Sequence, residues 1–397
     1  MSEFFILISL IFLSTMMLYF FFYGIIIIFA NIRGEKPPQA DSELAREIIE
    51  EGVTVIIPTH NEEKIIASKI DNLLQACKGF SKFEILVIDD SEDNTRVIIE
   101  DIRQKYHQIR LIEMDKREGY NNAMIRGISN ARFEYLIITD SSSYFDKDTI
   151  KNMLKRIKQD NVGCVTGKGI VINQQKQGAS LEHLYLSLQN FQRNGESIID
   201  STFHSRGEIS MFKKSLISDI SSIKGIFDIF CAFHIRKKGF KIKYYPDIVY
   251  YENATSSKSE LVQQKTTRAT NLLKTIFENK GFLLNPKYGY FGLIIYPFNF
   301  LMLFITPFLL LFSQISFFLF LVENWINLIL YEFELVFIVS SFTIILLIIP
   351  KIRLAIILML AIQYSLLVAV FRLVFKRNKD FDKIDQIPST RENFNTE

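Results

Sequence analysis

The feature that most constrains this chain is a pair of apolar blocks near its two ends. No charged residue occurs from Phe4 to Ala30, and the stretch from Phe291 to Phe375 is apolar with few interruptions. Each block exceeds the roughly 20 residues that a membrane-spanning helix needs. Hydrophobic residues make up 49% of the sequence. Because the excess lies in these blocks, we expect an integral membrane protein of the cell membrane.

Charges beside the first block predict its orientation. Glu3 precedes the block, whereas Arg33 and Lys36 follow it. Basic residues favour the cytosolic side of a membrane, so the region after this helix is predicted to be cytosolic. The block is too long for a signal peptide, starts without a basic region and lacks a small-residue cleavage site.

The second block is predicted to form four short spans. Its interruptions are Ser313-Gln314, Tyr331-Glu332 and Lys351-Ile352-Arg353. Three spans result instead if residues 291–320 form one helix kinked at Pro297 and Pro307. The basic tail favours an even number of spans, because these place it in the cytosol.

Between the blocks, short apolar runs alternate with amphipathic stretches, which is typical of βα repeats. The run Ile85 to Ile88 stops at Asp89 and Asp90, and a second run, 135–138, ends at Thr139-Asp140. Apolar runs without polar alternation predict strands buried on both faces of a parallel sheet. The alternative for Asp89 and Asp90 is a solvated turn.

Acidic strand ends of one parallel sheet converge on a single crevice, where ligands of open α/β sheets bind. Arg117 lies beside a glycine turn at a predicted helix start. A crevice with carboxylates and an arginine suits a divalent cation and a diphosphate. The residues therefore predict a nucleotide site, although Arg117 alone also fits an ordinary surface loop.

Charge and cysteine content argue against a nucleic-acid-binding protein and against a cysteine metal site. A net charge of +3 is too small to indicate a nucleic-acid partner. The three cysteines, Cys77, Cys164 and Cys231, have no metal-ligand spacing. They are expected to be reduced packing residues.

Residues 53–270 resemble the GT-A catalytic domain of family-2 glycosyltransferases. Residues 55–63 resemble the first strand and its Asn-Glu-Glu signature, 88–95 the Asp-Asp-x-Ser-x-Asp-x-Thr motif, 117–127 the diphosphate-side segment, and 139–142 the metal-binding Asp-x-Asp. The resemblance implies an α/β fold with a Rossmann-like, mostly parallel sheet, flanked here by transmembrane helices. The nucleotide-sugar residues it implies are Pro58, Thr59, Asn61, Glu62, Asp89, Asp90, Arg117 and Asp140.

Two departures from the family pattern concern charge at the diphosphate. Ser142 replaces the second metal carboxylate, leaving Asp140 as the implied ligand of Mg²⁺ or Mn²⁺ and metal dependence open. Tyr120 replaces the usual lysine, so the phosphate charge must be met elsewhere.

The resemblance also implies a general base. Residues 225–228 are similar to the family's acidic pair before a helix, with Phe227 in place of the first acid and Asp228 as the base. The alternative role for Asp228 is a helix N-cap. Gly207 and Glu208 lie in a segment similar to the one around the donor sugar.

An amphipathic stretch at 256–279 is predicted to lie along a membrane interface. Gln264, Lys265 and Arg268 are assigned to the acceptor side. They partly resemble the Gln-x-x-Arg-Trp motif of processive members, but the spacing differs and the tryptophan is absent.

These inferences predict an inverting membrane glycosyltransferase that moves a sugar from a UDP- or GDP-linked donor to a lipid-linked or polysaccharide acceptor. A processive synthase with a translocation channel and an inactive sugar- or lipid-binding scaffold are the alternatives. The predicted parts are an N-terminal transmembrane helix (1–32), a linker (33–52), the GT-A domain (53–255), the interface region (256–290), the C-terminal spans (291–375) and a cytosolic tail (376–397).

Overall fold

An eight-stranded mixed sheet forms the centre of the region between the two apolar blocks. The computed structural model describes residues 2–34, 50–172, 179–253, 269–331 and 348–375. The strands are β1 (Val53–Thr59), β2 (Phe83–Asp89), β3 (Ile109–Glu113), β4 (Tyr135–Ile138), β5 (Ser143–Phe145), β6 (Val162–Ile172), β7 (Ser210–Lys213) and β8 (Lys241–Asn253). Their order in the sheet is β3-β2-β1-β4-β7-β6-β8-β5.

The first four strands run parallel, which brings their carboxyl ends to one edge. β7 runs antiparallel to both of its neighbours, β4 and β6. The fold is therefore α/β with a GT-A-like sheet, as the sequence predicts. Pro58 does not end the first strand, because β1 continues to Thr59. Pairing with β4 stops at Ile56, so the missing N–H of Pro58 interrupts no hydrogen bond there.

Helices cover both faces of the sheet, and successive strand residues alternate between two cores. Ile85 and Val87 join one core, whereas Leu86 and Ile88 join the other. This confirms that the apolar runs are strands buried on both faces. The helices of this region are α2 (Ile66–Ala76), α3 (Thr95–Arg103), α4 (Tyr120–Asn130), α5 (Thr149–Ile157), α6 (Ala179–Ile199), α7 (Lys214–Ile217) and α8 (Phe227–Lys237). They follow α1 (Ser2–Arg33), the helix of the first apolar block.

The second apolar block begins as one continuous helical run from residue 291 to 331. It consists of the π-helical turn Phe291–Ile295, the helix Tyr296–Phe300, a second π-helical turn Leu301–Ile305 and the helix Thr306–Tyr331. Each wide turn contains the residue four positions before a proline, at Pro297 and Pro307. Proline lacks the N–H that would bond that residue, and a wide turn accommodates the loss.

The break predicted at Ser313-Gln314 is wrong, because Ser313 lies inside this helix. Its side chain is buried against α1, where Ser9 Oγ donates to Ser313 O at 3.0 Å. Small hydroxyl residues commonly hydrogen-bond between membrane helices, so they do not mark a helix end there. Residues 332–347 lie outside the described residues, so the number of spans stays a prediction.

Two of the described helices are long and apolar enough to cross a membrane. They are Phe4–Arg33 and Phe291–Asn324, with only 11% and 22% of their apolar windows buried within the protein. Such low burial is unlike the core helix of a soluble domain. A later helix, Pro350–Phe375, contains the shorter apolar stretch Leu360–Phe371.

Helical residues 269–278 connect the sheet domain to these helices. Ile276 packs with Phe203 and Phe233 of the domain, while Ala269 and Leu273 pack against Leu366 of the last helix. A 3₁₀ turn at Lys280–Phe282 and another at Pro286–Tyr288 follow. The described half of the predicted interface stretch is thus enclosed between the domain and the apolar helices.

Candidate active site

Asp89 and Asp90 lie at the carboxyl end of β2, opposite the end of β1. Asp89 is fully buried and accepts hydrogen bonds from Thr59 Oγ1 at 2.7 Å and Ser91 Oγ at 2.6 Å. Arg96 Nε lies 3.5 Å from its second oxygen. These donors compensate the burial of the charge, so Asp89 also holds the two strand ends together.

Asp90 is oriented by a histidine from the neighbouring loop. His60 Nδ1 lies 2.8 Å from Asp90 Oδ1. The backbone N–H of Asp90 donates to Thr59 O at 3.2 Å. The aspartate pair is thus held in one position before any ligand binds.

The loops after β1 and β2 are joined by reciprocal hydrogen bonds. The Asn61 N–H donates to Ser91 Oγ at 2.8 Å, and Asn61 Oδ1 accepts from the Glu92 N–H at 2.9 Å. The Glu62 N–H donates to Thr95 Oγ1 at 2.8 Å. Asn61 does not cap a helix, because its φ is +57° and α2 begins only at Ile66. Asn61 therefore pairs the two loops, a role that asparagine tolerates in the left-handed region.

Asp93 lies at the base of the same pair of loops. Partial burial raises the pKa of its carboxyl, but hydrogen bonds from Thr95 and from the Glu63 N–H outweigh this and lower the pKa below its ordinary value. The carboxylate accepts from the Thr95 N–H at 3.0 Å and from the Glu63 N–H at 3.2 Å. The negative charge thus stabilises both loops.

Asp140 follows β4, the strand next to β1, in a turn that leads to β5. Thr139 Oγ1 and Ser143 Oγ, on either side of it, each donate to Glu208 O at 3.0 Å. The turn with Asp140 and Ser142 is therefore attached directly to the segment with Gly207 and Glu208. The structure brings together two segments that lie some way apart in the sequence.

A buried lysine donates hydrogen bonds to this turn. Lys69, on α2, donates to Thr139 Oγ1 at 2.8 Å and also to Ser143 O. Burial lowers the pKa of its ammonium group to about 7, although the charge of Asp140 opposes this. Lys69 thus contributes positive electrostatic potential close to Asp140.

The segment 117–121 meets the segment of the predicted base. Asn121 Nδ2 donates to Gly225 O at 3.0 Å, and the Tyr120 ring packs edge-on against Phe227 at 6.1 Å between centroids. A Cβ on Gly207 would lie 3.8 Å from the Tyr120 hydroxyl. Arg117 is exposed in the loop before α4.

Asp228 lies in the first turn of α8. Ser205 Oγ donates to its carbonyl at 3.0 Å, and the Ile226 N–H donates to Thr275 Oγ1 at 3.1 Å. Phe227, at the position of the family's first acid, is 1% exposed and packs in the core. Helical residues 269–278 thus position the start of α8.

Gln264, Lys265 and Arg268 lie outside the described residues, so the structure does not bear on their assignment to the acceptor. The three cysteines are buried thiols, as expected for packing residues.

No group of three or more His, Cys, Asp or Glu that could hold a metal ion occurs among the described residues. The donors at the predicted metal position are the Asp140 carboxylate and the neighbouring Ser142 hydroxyl. Mg²⁺ is usually bound through one or two carboxylates together with substrate phosphates. The residues present therefore fit a cation that is completed by the diphosphate.

Several buried cations were missed in the sequence, among them Lys69, Arg193 and Arg206. Lys69 lies between Ile66 and Leu73 on the apolar face of α2. A charged residue at an otherwise apolar position of a helix was the signal that could have found it.

Comparison with known proteins identifies the domain. Residues 54–221 match the model of Glycosyl transferase family 2. This chain carries a family 2 glycosyltransferase domain. The match covers the strand ends with Asp89, Asp90 and Asp140, whereas Asp228 lies just beyond it.

The family 2 domain is also similar to curated proteins. It is 28% identical over 202 residues to a poly-beta-1,6-N-acetyl-D-glucosamine synthase of Staphylococcus aureus, covering 49% of this chain and 48% of that protein. The synthase of the same name from Staphylococcus epidermidis is 26% identical over 173 residues, covering 43% of this chain and 41% of that one. The chain thus spans about half the length of these relatives.

A solved structure resembles nearly the whole chain. It is a mannosyltransferase from Pyrobaculum calidifontis in complex with GDP-Man and Mn²⁺, with a TM-score of 0.73 and 21% identity. The similarity covers 94% of this chain and 100% of that one. It confirms the GT-A fold.

Proposed function

We propose that this protein transfers a sugar, with inversion, from a UDP- or GDP-linked donor to a lipid-linked or glycan acceptor at the cytosolic face of the cell membrane. The observation that carries the proposal is the connection of three segments by hydrogen bonds. The Asp140 turn is bonded to Glu208 O, Ser205 is bonded to Asp228 O, and Asn121 is bonded to Gly225 O. Donor and base segments thus form one rigid arrangement, as positioning of reactants requires.

The donor occupies the ends of β1, β2 and β4 in this proposal. Asp90 and the loop with Pro58, Thr59, Asn61 and Glu62 surround the nucleoside, and Asp89 keeps both strand ends in register. Arg117 gives the diphosphate a charge-assisted contact from its exposed loop. Asp140, next to Ser142, holds a divalent cation, which supplies positive charge to the leaving diphosphate when bound.

The acceptor approaches from the side of Gly207, Glu208 and α8. Asp228 takes the proton from the acceptor hydroxyl as that oxygen attacks the anomeric carbon. One displacement opposite the leaving diphosphate inverts the anomeric configuration. Phe227 packs in the core, so a single carboxylate performs the base role here.

Turnover of labelled nucleotide sugars tests the proposal. Membranes with the full chain are incubated with a panel of UDP- and GDP-linked sugars carrying a radiolabel in the sugar. We expect label in a lipid-extractable or oligosaccharide product for one donor. The absence of any transferred label across the panel would support the scaffold alternative and overturn the proposal.

Replacing the base separates catalysis from binding. Asp228→Asn keeps the size of the side chain but removes the proton acceptor, so we expect transfer to fall by at least 100-fold with nucleotide affinity unchanged. Asp219→Asn, on an exposed aspartate before the same helix, is the control and retains transfer. Equal turnover of Asp228→Asn and the parent protein would remove Asp228 from this role.

A processive synthase is the second candidate, favoured by the similarity to poly-beta-1,6-N-acetyl-D-glucosamine synthases. It predicts a long polymer whose size does not depend on the acceptor concentration. Gel filtration of the labelled product distinguishes the two, because a single transfer adds one sugar to each acceptor.

A further inference from the structure

A short segment that the proposed mechanism does not use exposes several large apolar side chains. Residues 277–293, the boundary segment, run from the end of helical residues 269–278 through the two 3₁₀ turns into the helical run that begins at Phe291. Leu284, Tyr290 and Phe277 are 66%, 59% and 54% exposed. Large apolar side chains exposed together indicate a surface that contacts a protein or a membrane.

The boundary segment is anchored to the domain, so its exposed residues are held in place. Phe282 is 1% exposed, and the centroid of its ring lies 4.5 Å from that of Tyr288 and 5.5 Å from that of Phe233. Arg236 of α8 donates to Tyr288 O at 2.8 Å. Phe282 is therefore packed into the domain, whereas the next two residues of the chain, both leucines, are exposed.

The backbone of Leu284 adopts a conformation that leucine rarely takes. Its φ is +52°, in the left-handed region, where the Cβ of an L-residue lies too close to a carbonyl oxygen. The side chain of Asn285 fixes this turn, because its Nδ2 donates to Gly281 O at 2.9 Å. Backbone strain of this kind persists at sites that carry a function, and here it holds an apolar side chain at the surface.

The turn packs directly on the start of a helix that is long and apolar enough to cross a membrane. A Cβ on Gly292 would collide with Asn285 O and would lie 3.2 Å from Phe282 O, so the turn and the first helical residues are in close contact. The apolar helix Phe291–Asn324 begins at this point. The exposed residues of the turn therefore lie beside the end of a span, where aromatic and basic side chains anchor membrane helices.

Two exposed lysines give the boundary segment positive charge. They are Lys280 and Lys287, and Glu278 is the one acidic residue of the segment. Lys280 Nζ lies 5.1 Å from the centroid of the Phe277 ring, and Lys287 Nζ lies 5.8 Å from that of Tyr288. Lysine stems that lie along apolar surface while the ammonium group stays in water are favoured at membrane interfaces. Ammonium groups at that depth attract anionic lipid headgroups.

The sequence pattern predicts an interface contact earlier in the chain than the structure does. In the described half of the stretch 256–279, Leu273 and Ile276 are fully buried between the domain and the apolar helices. The exposed apolar residues and the lysines come at the end of that stretch and after it, in 3₁₀ turns. Such turns have no helical periodicity, so an amphipathic pattern could not reveal them.

We propose that the boundary segment binds the surface of an anionic bilayer. Leu284 and Tyr290 enter the boundary between headgroups and acyl chains, and Lys280 and Lys287 contact the phosphates of anionic lipids. These lipids are bound and not consumed. The surface contains none of the residues assigned to the donor, the cation or the base, so the inference stands independently of the proposed function. Because Arg236 joins the segment to α8, the contact also fixes the orientation of the domain on the membrane.

Quenching of a tryptophan reporter by brominated lipids tests this without requiring turnover. Trp325, the single tryptophan of the chain, is replaced by phenylalanine, and one reporter is introduced, either Leu284→Trp or Tyr290→Trp. Tyr106→Trp, on an exposed tyrosine after α3, is the control reporter. The full chain is placed in nanodiscs of phosphatidylcholine with a minor share of phosphatidylglycerol. Bromine is carried on the acyl chains of one lipid or of the other.

We expect acyl-chain bromine to quench both reporters of the boundary segment about 3-fold or more strongly than it quenches Tyr106→Trp, because only the former contact the bilayer. Brominated phosphatidylglycerol should quench them about 2-fold more than its share of the lipid predicts, since the lysines enrich anionic headgroups nearby.

A matched pair of double variants tests the lysines. Lys280→Gln combined with Lys287→Gln should remove the excess quenching by brominated phosphatidylglycerol and leave quenching by brominated phosphatidylcholine. Lys78→Gln combined with Lys105→Gln removes the same charge from exposed positions elsewhere in the domain and should retain the excess.

Three results would overturn the inference. Quenching of both reporters no stronger than that of Tyr106→Trp would place the boundary segment in water. Quenching by each brominated lipid in proportion to its share would exclude a preference for anionic lipid. Loss of the excess in the Lys78 and Lys105 variant as well would attribute it to the net charge of the protein. Tyr290→Trp exchanges one aromatic ring for another, so it decides the question if Leu284→Trp does not fold.

Discussion

At the scale of single residues, the candidate site depends on carboxylates whose neighbours differ. Asp89 is fully buried and accepts hydrogen bonds from Thr59 and Ser91, whereas Asp140 lies partly exposed in a turn. The first carboxylate organises the two strand ends, and the second lies where a diphosphate and a cation would meet. Substitution of Asp89 should therefore disturb the strand ends, whereas substitution of Asp140 should affect the binding of the donor and the cation.

Asp140→Ala is expected to lower donor affinity at least 10-fold and to abolish any stimulation by Mg²⁺ or Mn²⁺, because Ser142 cannot replace a carboxylate as a ligand. Titration of the donor with and without chelator measures both effects. Asp148→Ala, on an exposed aspartate nearby, is the control. Full activity of the parent protein in excess chelator would contradict the metal role.

The burial of Lys69 predicts how the free energy of unfolding depends on pH. Its pKa of about 7 in the folded protein lies below the ordinary value of 10.5. Between these values the unfolded chain binds more protons, so the contribution of Lys69 to the free energy of unfolding rises with pH. We expect the parent protein to gain on the order of 2 kcal/mol from pH 7 to pH 9 relative to Lys69→Met.

Denaturant unfolding of both proteins at the two pH values measures this difference. Lys78→Met, on an exposed lysine beyond the end of α2, should behave as the parent protein does. The same pH dependence in Lys69→Met and the parent would contradict the assignment.

At the scale of secondary-structure elements, helical residues 269–278 determine where α8 begins. Gly225 precedes α8 with a φ of +94°, and a Cβ there would lie 2.0 Å from Thr275 Oγ1. Only glycine fits, because any side chain would push the start of α8, and with it Asp228, away from the helix that positions it.

Gly225→Ala is therefore expected to lower transfer at least 10-fold while nucleotide affinity persists. Gly239→Ala is the matched control at the other end of α8, because it has a similar φ of +92° but no atom within 4 Å of the new Cβ. Both variants lose about 1 kcal/mol or more through backbone strain, but only Gly225→Ala loses transfer. Adding Thr275→Ala to Gly225→Ala should restore part of the lost transfer, because this second change removes Thr275 Oγ1, the atom nearest to the new Cβ. Equal activities of the two alanine variants would show that the contact does not matter.

At the scale of the whole molecule, one buried carboxylate connects the long apolar helices to the domain. Glu196 on α6 accepts hydrogen bonds from Tyr23 of α1, from Asn299 Nδ2 at 2.9 Å and from the Phe203 N–H at 2.8 Å. Three separate regions therefore share one acceptor, and their relative position depends on it.

Glu196→Gln replaces one carboxylate oxygen, which accepts hydrogen bonds, by an amide NH₂, which donates them. Because Tyr23, Asn299 and the Phe203 N–H all donate to this side chain, at least one of these bonds is lost. We expect the free energy of unfolding to fall by about 1–3 kcal/mol. Glu278→Gln, at an exposed position of residues 269–278, should have no effect. Thermal unfolding in detergent compares the two, and equal midpoints would show that Glu196 does not couple the regions.

The sequence by itself determined that the buried strands and the long apolar helices form. β-Branched runs such as Ile85 to Ile88 predict strands buried on both faces, and charge-free runs such as Phe4 to Ala30 predict helices that need an apolar environment. These signals are local, because period and composition belong to one segment. The acidic strand ends were predictable for the same reason, since the end of a strand is marked in its own residues.

Only the tertiary structure decided which polar side chains face inward and what meets them. Asn61 pairs with the next loop rather than capping a helix. Ser313 lies inside a helix, where its carbonyl accepts from Ser9, and Arg193 is buried by elements distant in sequence. A polar residue on an amphipathic helix has the same local pattern whether water or another element covers it. Its burial depends on long-range packing, which no single segment contains.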